Sequence, residues 1–211
     1  MAAPAEITLQ NLNGEFVMQS VSWMTRTALG YATVTLAITE YIEPNADDDA
    51  HAPITKVDIA QTATGGIQSS EKRITDWRTR GHEDRIFGAL SGQSRLVRGT
   101  SSGPTLEVQT QSKDAEKVTR FLKGEILADG SAVDGFVVDT VQDKEGLSYG
   151  EGEGLWLQSW VRNEKYGWSA EQIWGFEIID GQRYHTRRVA ASKGDKYVLA
   201  RLVYDYQGPV A

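Results

Sequence analysis

The chain has 211 residues, with 40% hydrophobic residues, six Trp and eight Tyr, which is enough for the core of one large domain over residues 1–211. A formal net charge of −7 argues against a nucleic-acid backbone as a binding partner. Cysteine is absent, which excludes disulfides, a thiolate nucleophile and a cysteine-based metal site.

The first residues, MAAPAEITLQNLNG, have neither the basic start nor the apolar core of a secretory signal. No stretch approaches the roughly 18 consecutive apolar residues that a membrane-spanning helix needs. We therefore expect a cytoplasmic location and no membrane insertion.

Short runs with strand-like alternation follow one another along the first two thirds of the chain. The predicted strands cover residues 12–18, 33–41, 54–62, 71–77, 86–97 and 133–141. Helical spacing of apolar residues predicts two short helices, over 19–32 and 114–123. Acidic or glycine-rich loops such as 44–50 separate these elements.

Four more strands are predicted after the run YGEGEG, and the first of them begins with LWLQSWVRNE. Asp180-Gly181 and Gly194-Asp195 stand where two-residue turns would join the last three strands. In total, about nine or ten strands at short spacing, with one or two short helices, predict an all-β antiparallel sandwich or barrel.

The two turns determine how the last three strands pair, and opposite residues share a face of the sheet. The predicted opposite pairs are Phe176 with His185, His185 with Tyr204, and Arg187 with Leu202. A slip of one residue would exchange the two faces and turn Arg188 inward instead of Arg187.

One face of these strands combines aromatic residues with a few polar groups, as in a cavity that binds a small molecule. It includes Trp168, Gln172, Trp174, Phe176, Arg183, His185, Arg187, Leu202, Tyr204 and Tyr206. The opposite face carries Glu171, Glu177, Arg188, Arg201 and Asp205, a pattern that predicts exposure to solvent. The first face is therefore the candidate site.

Arg187 is the first candidate catalytic residue, because a buried guanidinium that is always charged must find partners. One interpretation is structural: Arg187 stacks on Trp174 and pairs with an interior carboxylate such as Glu71, which shares a strand face with Arg73. The other is functional: Arg187 binds a carbonyl or enolate oxygen of a ligand. The two interpretations are compatible.

Three further residues on this face are candidate catalytic groups. His185 suits a hydrogen bond to a polar ligand, general acid–base catalysis or a structural role in the core. The amide of Gln172 could donate to a carbonyl oxygen or pair with a neighbouring strand. Tyr204 offers a phenol donor, although core tyrosines also bind backbone groups.

Aromatic and apolar side chains are predicted to hold the body of a ligand by stacking and packing. The predicted substrate-binding residues are Trp23, Trp156, Trp160, Trp174, Phe176 and Leu202. An ordinary aromatic core explains the tryptophans about as well.

Motifs of other enzyme classes are missing from the sequence. There is no G-x-S-x-G elbow, phosphate-binding glycine loop, Rossmann fingerprint or His-Glu-x-x-His pair. The three His are widely separated, so no metal site is predicted. We expect no cofactor.

Taken in order, a set of strand and turn patterns resembles a lipocalin-like family found in fungi. The patterns are FVM, SW-x-TR, ATVTL, QTATGGI, E-x-R-x-x-DW, H-E-D-x-IFG, WSAEQIWGFE, DGQRY and RLVYDYQG. The resemblance spans nearly the whole chain. One departure is that members carry a polar, acidic segment between FVM and SW-x-TR, whereas here only Gln19, Ser20 and Val21 separate Met18 from Ser22-Trp23.

The resemblance implies an up-and-down antiparallel barrel that holds a hydrophobic small molecule. Some lipocalin-like proteins of fungal natural-product pathways are pericyclases, and those of tropolonic sesquiterpene pathways direct a hetero-Diels–Alder addition of a quinone methide to a terpene olefin. By this resemblance the chain is expected to be a cofactor-free Diels–Alderase. The alternatives are a carrier that leaves its ligand unchanged, and an isomerase or cyclase with His185 as general base.

Overall fold

The computed structural model describes residues 1–19, 34–47, 52–84, 88–144 and 146–210. Beyond Gln19, the helix predicted over 19–32 lies outside these described residues. The helix predicted over 114–123 is present, and we name it α1 (Ala115–Leu122). None of the helical structure in the described ranges is long and apolar enough to cross a membrane.

Antiparallel strands make up most of the remaining described residues. The first seven are β1 (Gly14–Met18), β2 (Val34–Pro44), β3 (Pro53–Ala63), β4 (Ile67–Ile74), β5 (Arg80–Asp84), β6 (Gly88–Thr100) and β7 (Gly103–Pro104). After α1 come β8 (Glu153–Asn163), β9 (Trp168–Ile179), β10 (Gln182–Lys193) and β11 (Lys196–Gly208).

These strands form one sheet in the order β4-β3-β2-β1-β11-β10-β9-β8-β6-β5, and β7 pairs with the end of β6. The first strand lies between the second and the last, so the sheet curves into a half-barrel with its gap between β4 and β5. A bridge between Asp76 and Arg95 spans part of that gap. The all-β, up-and-down, lipocalin-like architecture predicted from the sequence is confirmed.

The predicted register of the last three strands is also confirmed. His185 lies opposite both Phe176 and Tyr204, and Arg187 lies opposite Leu202. Asp180 and Gly181 both have left-handed φ values, 50° and 74°, as a two-residue hairpin turn of the primed type requires. Arg187 and not Arg188 therefore shares a face with Trp174.

The strand predicted over 133–141 is wrong. This segment makes only an isolated bridge from Phe136 to Glu177 and a hydrogen bond of 2.7 Å from Val137 N to Phe176 O. Both contacts lie beyond Trp174, where the pairing of β8 with β9 ends. Contact at these isolated points does not make a strand. The short strand β5 was not predicted.

The inner face of the half-barrel holds one apolar core. Its buried residues include Phe16, Leu36, Ile38, Val57, Ile59, Leu157, Trp174, Phe176 and Tyr204. The N-terminal segment closes one end of the barrel, because Ala3, Ile7, Leu9 and Leu12 pack into the same cluster. Arg183 fixes this segment by donating to the carbonyl oxygens of Pro4 and Ile7 at 3.0 and 2.9 Å.

The outer face of β8, β9 and β10 is covered, and this corrects the prediction that it is exposed to solvent. The long connection between β7 and β8, which includes α1, packs its apolar residues on Trp156, Ile173 and Ala190. As a result Glu171, Glu177 and Arg188 are at most 2% exposed. Only Arg201 and Asp205 of the predicted set keep partial exposure.

Burial of these charged groups is tolerated because each of them has hydrogen-bond partners. Arg188 donates to both carboxylate oxygens of Glu177 at 2.9 and 2.8 Å, and to the carbonyl oxygens of Phe121 and Ile126. Thr186 donates to the same carboxylate at 2.8 Å. Because Phe121 lies in the last turn of α1, the helix dipole favours a cation bound to its carbonyl oxygen. Arg188 therefore fastens α1 to the sheet.

Trp156 and Trp160 lie on this outer face, so their predicted place in a cavity box beside Trp174 is wrong. Alternation along β8 sends Leu157, which is opposite Trp174, inward, and its neighbours outward. Trp156 is fully buried against Phe136, with ring centroids 6.3 Å apart. Gly175 allows this packing, since a Cβ there would lie 2.7 Å from Phe136 and 2.8 Å from Trp156.

We predict that Arg188→Met destabilises the protein by about 3 kcal/mol or more, because it leaves the Glu177 carboxylate buried without its main partner. Urea unfolding followed by circular dichroism measures the loss. The matched control is Arg120→Met on the surface of α1, where the side chain is 48% exposed and pairs with Glu125. A loss below about 1 kcal/mol for Arg188→Met would contradict the account.

Candidate functional site

A cavity of about 460 Å³ lies inside the half-barrel, at the end opposite the N-terminal closure. Its apolar walls include Met18, Val34, Leu90, Val161, Ala170, Val189, Leu202 and Tyr204. Its polar lining includes Gln61, Glu71, Arg73, Gln172, Arg187, Lys193 and Lys196. An apolar cavity with a few convergent polar groups is the usual form of a small-molecule site.

Arg187 is the charged group in the inner part of this cavity, and its side chain is held from two sides. The guanidinium lies flat on Trp174, with its carbon 3.6 Å from the ring centroid, and 5.1 Å from that of Tyr204. Its Nε donates to Nε2 of His185 at 3.3 Å. Its Nη2 is buried and, among the described residues, has no hydrogen-bond partner.

The charge of Arg187 is also incompletely compensated. Burial lowers its pKa, while Tyr204 and Glu71 raise it; an arginine side chain stays protonated in proteins. No carboxylate of the described residues forms an ion pair with it. A buried donor without an acceptor costs free energy unless a ligand supplies the acceptor. Arg187 is therefore a positively charged group with an unsatisfied donor in the cavity wall.

His185 lies beneath Arg187 and is fully buried. Its ring contacts Phe16, Trp174, Phe176 and Tyr204, with centroids 5.4 to 6.1 Å away. Burial, reinforced by the charge of Arg187, holds its pKa well below 6.5. Because Nε2 accepts from Arg187, the proton sits on Nδ1, which donates to Gly175 O at 3.1 Å. Both nitrogens are used, so His185 positions Arg187.

Gln172 lines the cavity beside Arg187. Its Oε1 accepts from the indole Nε1 of Trp174 at 2.9 Å, which fixes the amide and leaves its nitrogen as the donor group. The same bond orients the ring on which Arg187 stacks. Trp174 therefore supports the cavity from below and does not line it.

Glu71 and Arg73 lie on the wall formed by β4 and form an ion pair with each other, so Glu71 is not the ion-pair partner of Arg187 that one interpretation of the sequence expected. Gln61 donates to the second oxygen of Glu71 at 2.8 Å. Burial would raise the pKa of Glu71, but Arg73, Arg187 and the Gln61 hydrogen bond hold it below its usual value. Glu71 is thus an anion already committed to Arg73.

The structure separates the predicted residues into groups. Gln172, Arg187, Leu202 and Tyr204 line one cavity. Trp174 and His185 lie directly behind Arg187, and Phe176 lies deeper, where Arg183 stacks on it at 3.7 Å. Burial raises the pKa of Tyr204, so its phenol stays protonated. Trp23 lies outside the described residues.

Several lining residues were missed. Gln61 follows the inward pair Val57 and Ile59 by the same two-residue step, so strand alternation could have found it. Lys193 and Lys196 lie opposite each other beside the last turn, on the inward-facing side of the sheet. The predicted register already implied this position.

A second concave region of about 660 Å³ lies at the gap between β4 and β5. It shares Glu71, Arg73 and His82 with the inner cavity, and its remaining lining combines charged residues such as Arg78, Arg80 and Lys72 with apolar and small ones. Arg80 is already paired with Asp76. Of the two regions, the inner cavity is the one lined by Arg187, so it is the better candidate site.

In the described part of the chain, no group of three or more His, Asp or Glu is placed to hold a metal ion.

Comparison with known proteins found two curated relatives. The chain is 24% identical over 223 residues to the protein named probable pericyclase scpY of Mollisia scopiformis, covering 99% of this chain and 96% of that protein. It is 55% identical over 40 residues to pericyclase pydY of Acremonium sp., a match to 22% of that protein. The resemblance to pericyclases drawn from the sequence is thereby confirmed. No family model and no solved structure matches.

We predict that His185 stays neutral between about pH 6 and pH 8, because its pKa in the fold lies well below 6.5. Imidazole proton shifts in a pH titration by NMR measure this, and the peak missing from His185→Gln identifies the residue. Since the unfolded chain binds a proton near pH 6.5 and the folded chain does not, this group lowers stability as the pH falls through that range. A midpoint near 6.5 would contradict the assignment.

Proposed function

We propose that the chain is a cofactor-free pericyclase that takes up a hydrophobic biosynthetic intermediate in the barrel cavity and steers its Diels–Alder or hetero-Diels–Alder cycloaddition. A quinone methide reacting with a terpene olefin is the example suggested by the sequence resemblance. The pericyclase names of both relatives support the reaction class. The observation that carries the proposal is the buried, unpartnered Nη2 of Arg187 in a largely apolar cavity.

Positioning is the first contribution that such a cavity makes. A cycloaddition needs no nucleophile, and holding diene and dienophile in one reactive geometry replaces much of the entropic barrier, with effective molarities reaching about 10⁵ M or more. The walls of Leu202, Val189 and Val161 can hold an olefin in one orientation. A single orientation also fixes the stereochemistry of the product.

Hydrogen bonding to the reacting system is the second contribution. Electron density shifts onto the oxygen of an oxygen-bearing diene in the transition state, and a fixed donor in a dry site stabilises that shift. In this proposal Nη2 of Arg187 is that donor, since Trp174 and His185 hold its guanidinium in place. The amide nitrogen of Gln172 is the second donor at the same wall.

The environment of His185 argues against the isomerase or cyclase alternative. A general base must reach the proton that it abstracts. His185 is fully buried, and its two nitrogens already bind Gly175 and Arg187. The reaction that fits this arrangement needs no proton transfer to His185.

The proposal predicts that the wild-type protein accelerates formation of one product stereoisomer from its substrate and that Arg187→Met slows this by about 100-fold. The substrate is captured from a small-molecule extract of the producing organism and identified by mass spectrometry. Rate and enantiomeric ratio are then followed by chiral chromatography. Arg120→Met, which removes an exposed guanidinium on α1, should retain the wild-type rate.

Two results would contradict the proposal. A ligand that is bound and returned unchanged by both wild type and Arg187→Met would identify a carrier. A rate that follows a sigmoidal pH profile and is lost in His185→Gln but retained in Arg187→Met would indicate acid–base catalysis instead.

A further inference from the structure

The cavity has the opposite charge to the rest of the protein. The chain carries a formal net charge of −7. Among the described residues that line the cavity, the cationic side chains are Arg73, Arg187, Lys193 and Lys196, and the carboxylate is Glu71. A concave site of one sign inside a protein of the other sign attracts ligands of the complementary charge.

The cations are arranged along the depth of the cavity. Lys193 and Lys196 flank the turn between β10 and β11 at its mouth. Arg187 lies three two-residue repeats deeper along β10 and is 5% exposed. Glu71 is held by Arg73 and Gln61, so it neutralises the pair on its own wall. Among the described residues, no carboxylate forms an ion pair with Arg187, Lys193 or Lys196, so these three charges are available to a ligand.

We infer that the substrate carries an anionic oxygen, such as an ionised enol, phenol or carboxyl group, on a hydrophobic body, and that Arg187 binds this oxygen. The inference rests on the proposed function in taking the cavity as the substrate site, and it adds the substrate's charge.

An anion satisfies this site more completely than a neutral carbonyl does. Either oxygen would accept a hydrogen bond from Nη2 of Arg187. Only the anion also neutralises the charge of a guanidinium that is buried without an ion pair. A buried, unpaired charge costs more free energy than a buried, unpaired hydrogen-bond donor. Hydrogen bonds between two charged groups are also roughly twice as strong as those between neutral groups.

The two lysines at the mouth have a separate effect. Charges near the entrance of a site raise the association rate of an oppositely charged ligand, and added salt screens this effect. The association rate of an anion should therefore fall with increasing salt. This fall should be smaller in the double variant that combines Lys193→Gln and Lys196→Gln.

A matched pair of fluorescent probes tests the inference. 1-Anilinonaphthalene-8-sulfonate is anionic, and N-phenyl-1-naphthylamine is its neutral counterpart without the sulfonate. We expect the wild type to bind the anionic probe at least tenfold more tightly, and Arg187→Met to remove most of this preference. Arg187→Lys, which keeps the charge, should retain part of it, and Arg120→Met should leave it unchanged.

A cavity-filling variant, Ala170→Trp, separates failure of this inference from failure of the proposed function, because Ala170 lines the cavity wall. Loss of both probes in Ala170→Trp shows that they bind inside. Equal affinity for the two probes, with both lost in Ala170→Trp, would overturn the anionic substrate and leave the cavity as a ligand site. Binding that Ala170→Trp does not change would overturn both proposals.

Discussion

The contact on which this account depends is the stack of the Arg187 guanidinium on Trp174. Three bonds fix it: Gln172 accepts from the Trp174 indole, His185 accepts from Nε of Arg187, and Gly175 O accepts from His185. All these residues lie on β9 or β10, and the register of that one hairpin brings them together. The result is a charged donor held rigidly in an apolar cavity with one nitrogen unpaired.

The same hairpin is also fixed from its other side. Arg188, next to Arg187 in sequence, points outward and binds Glu177, the carbonyl oxygen of Phe121 in the last turn of α1, and that of Ile126 after the helix. Glu171 on that face accepts from Thr110 and Gln158, so both buried carboxylates are satisfied. Because buried, fully paired polar groups favour a single arrangement, this layer holds the backbone that carries Arg187 and His185. The site is thus built on strands that are packed on both faces.

The sequence predicted the cavity face well, since turn chemistry and two-residue alternation are local signals. Asp180-Gly181 set the register that places Gln172 and Arg187, and Gly194-Asp195 set the register that places Leu202 and Tyr204. The outer face was predicted wrongly because the signal is not local. Their alternation with the cavity residues predicted that Glu177 and Arg188 are exposed to solvent. In the structure, a connection about 60 residues away in sequence covers them. The prediction that Trp156 lines the cavity was wrong for the same reason, because Trp156 belongs to the core beneath α1.

A crystal structure of the protein with the captured ligand, or with the anionic naphthalene probe, would test the central claim most directly. The account predicts a ligand oxygen within roughly 2.7–3.2 Å of Nη2 of Arg187, with the guanidinium still stacked on Trp174. A ligand bound at the gap between β4 and β5, or a ligand in the cavity that turns only carbon atoms toward Arg187, would contradict it.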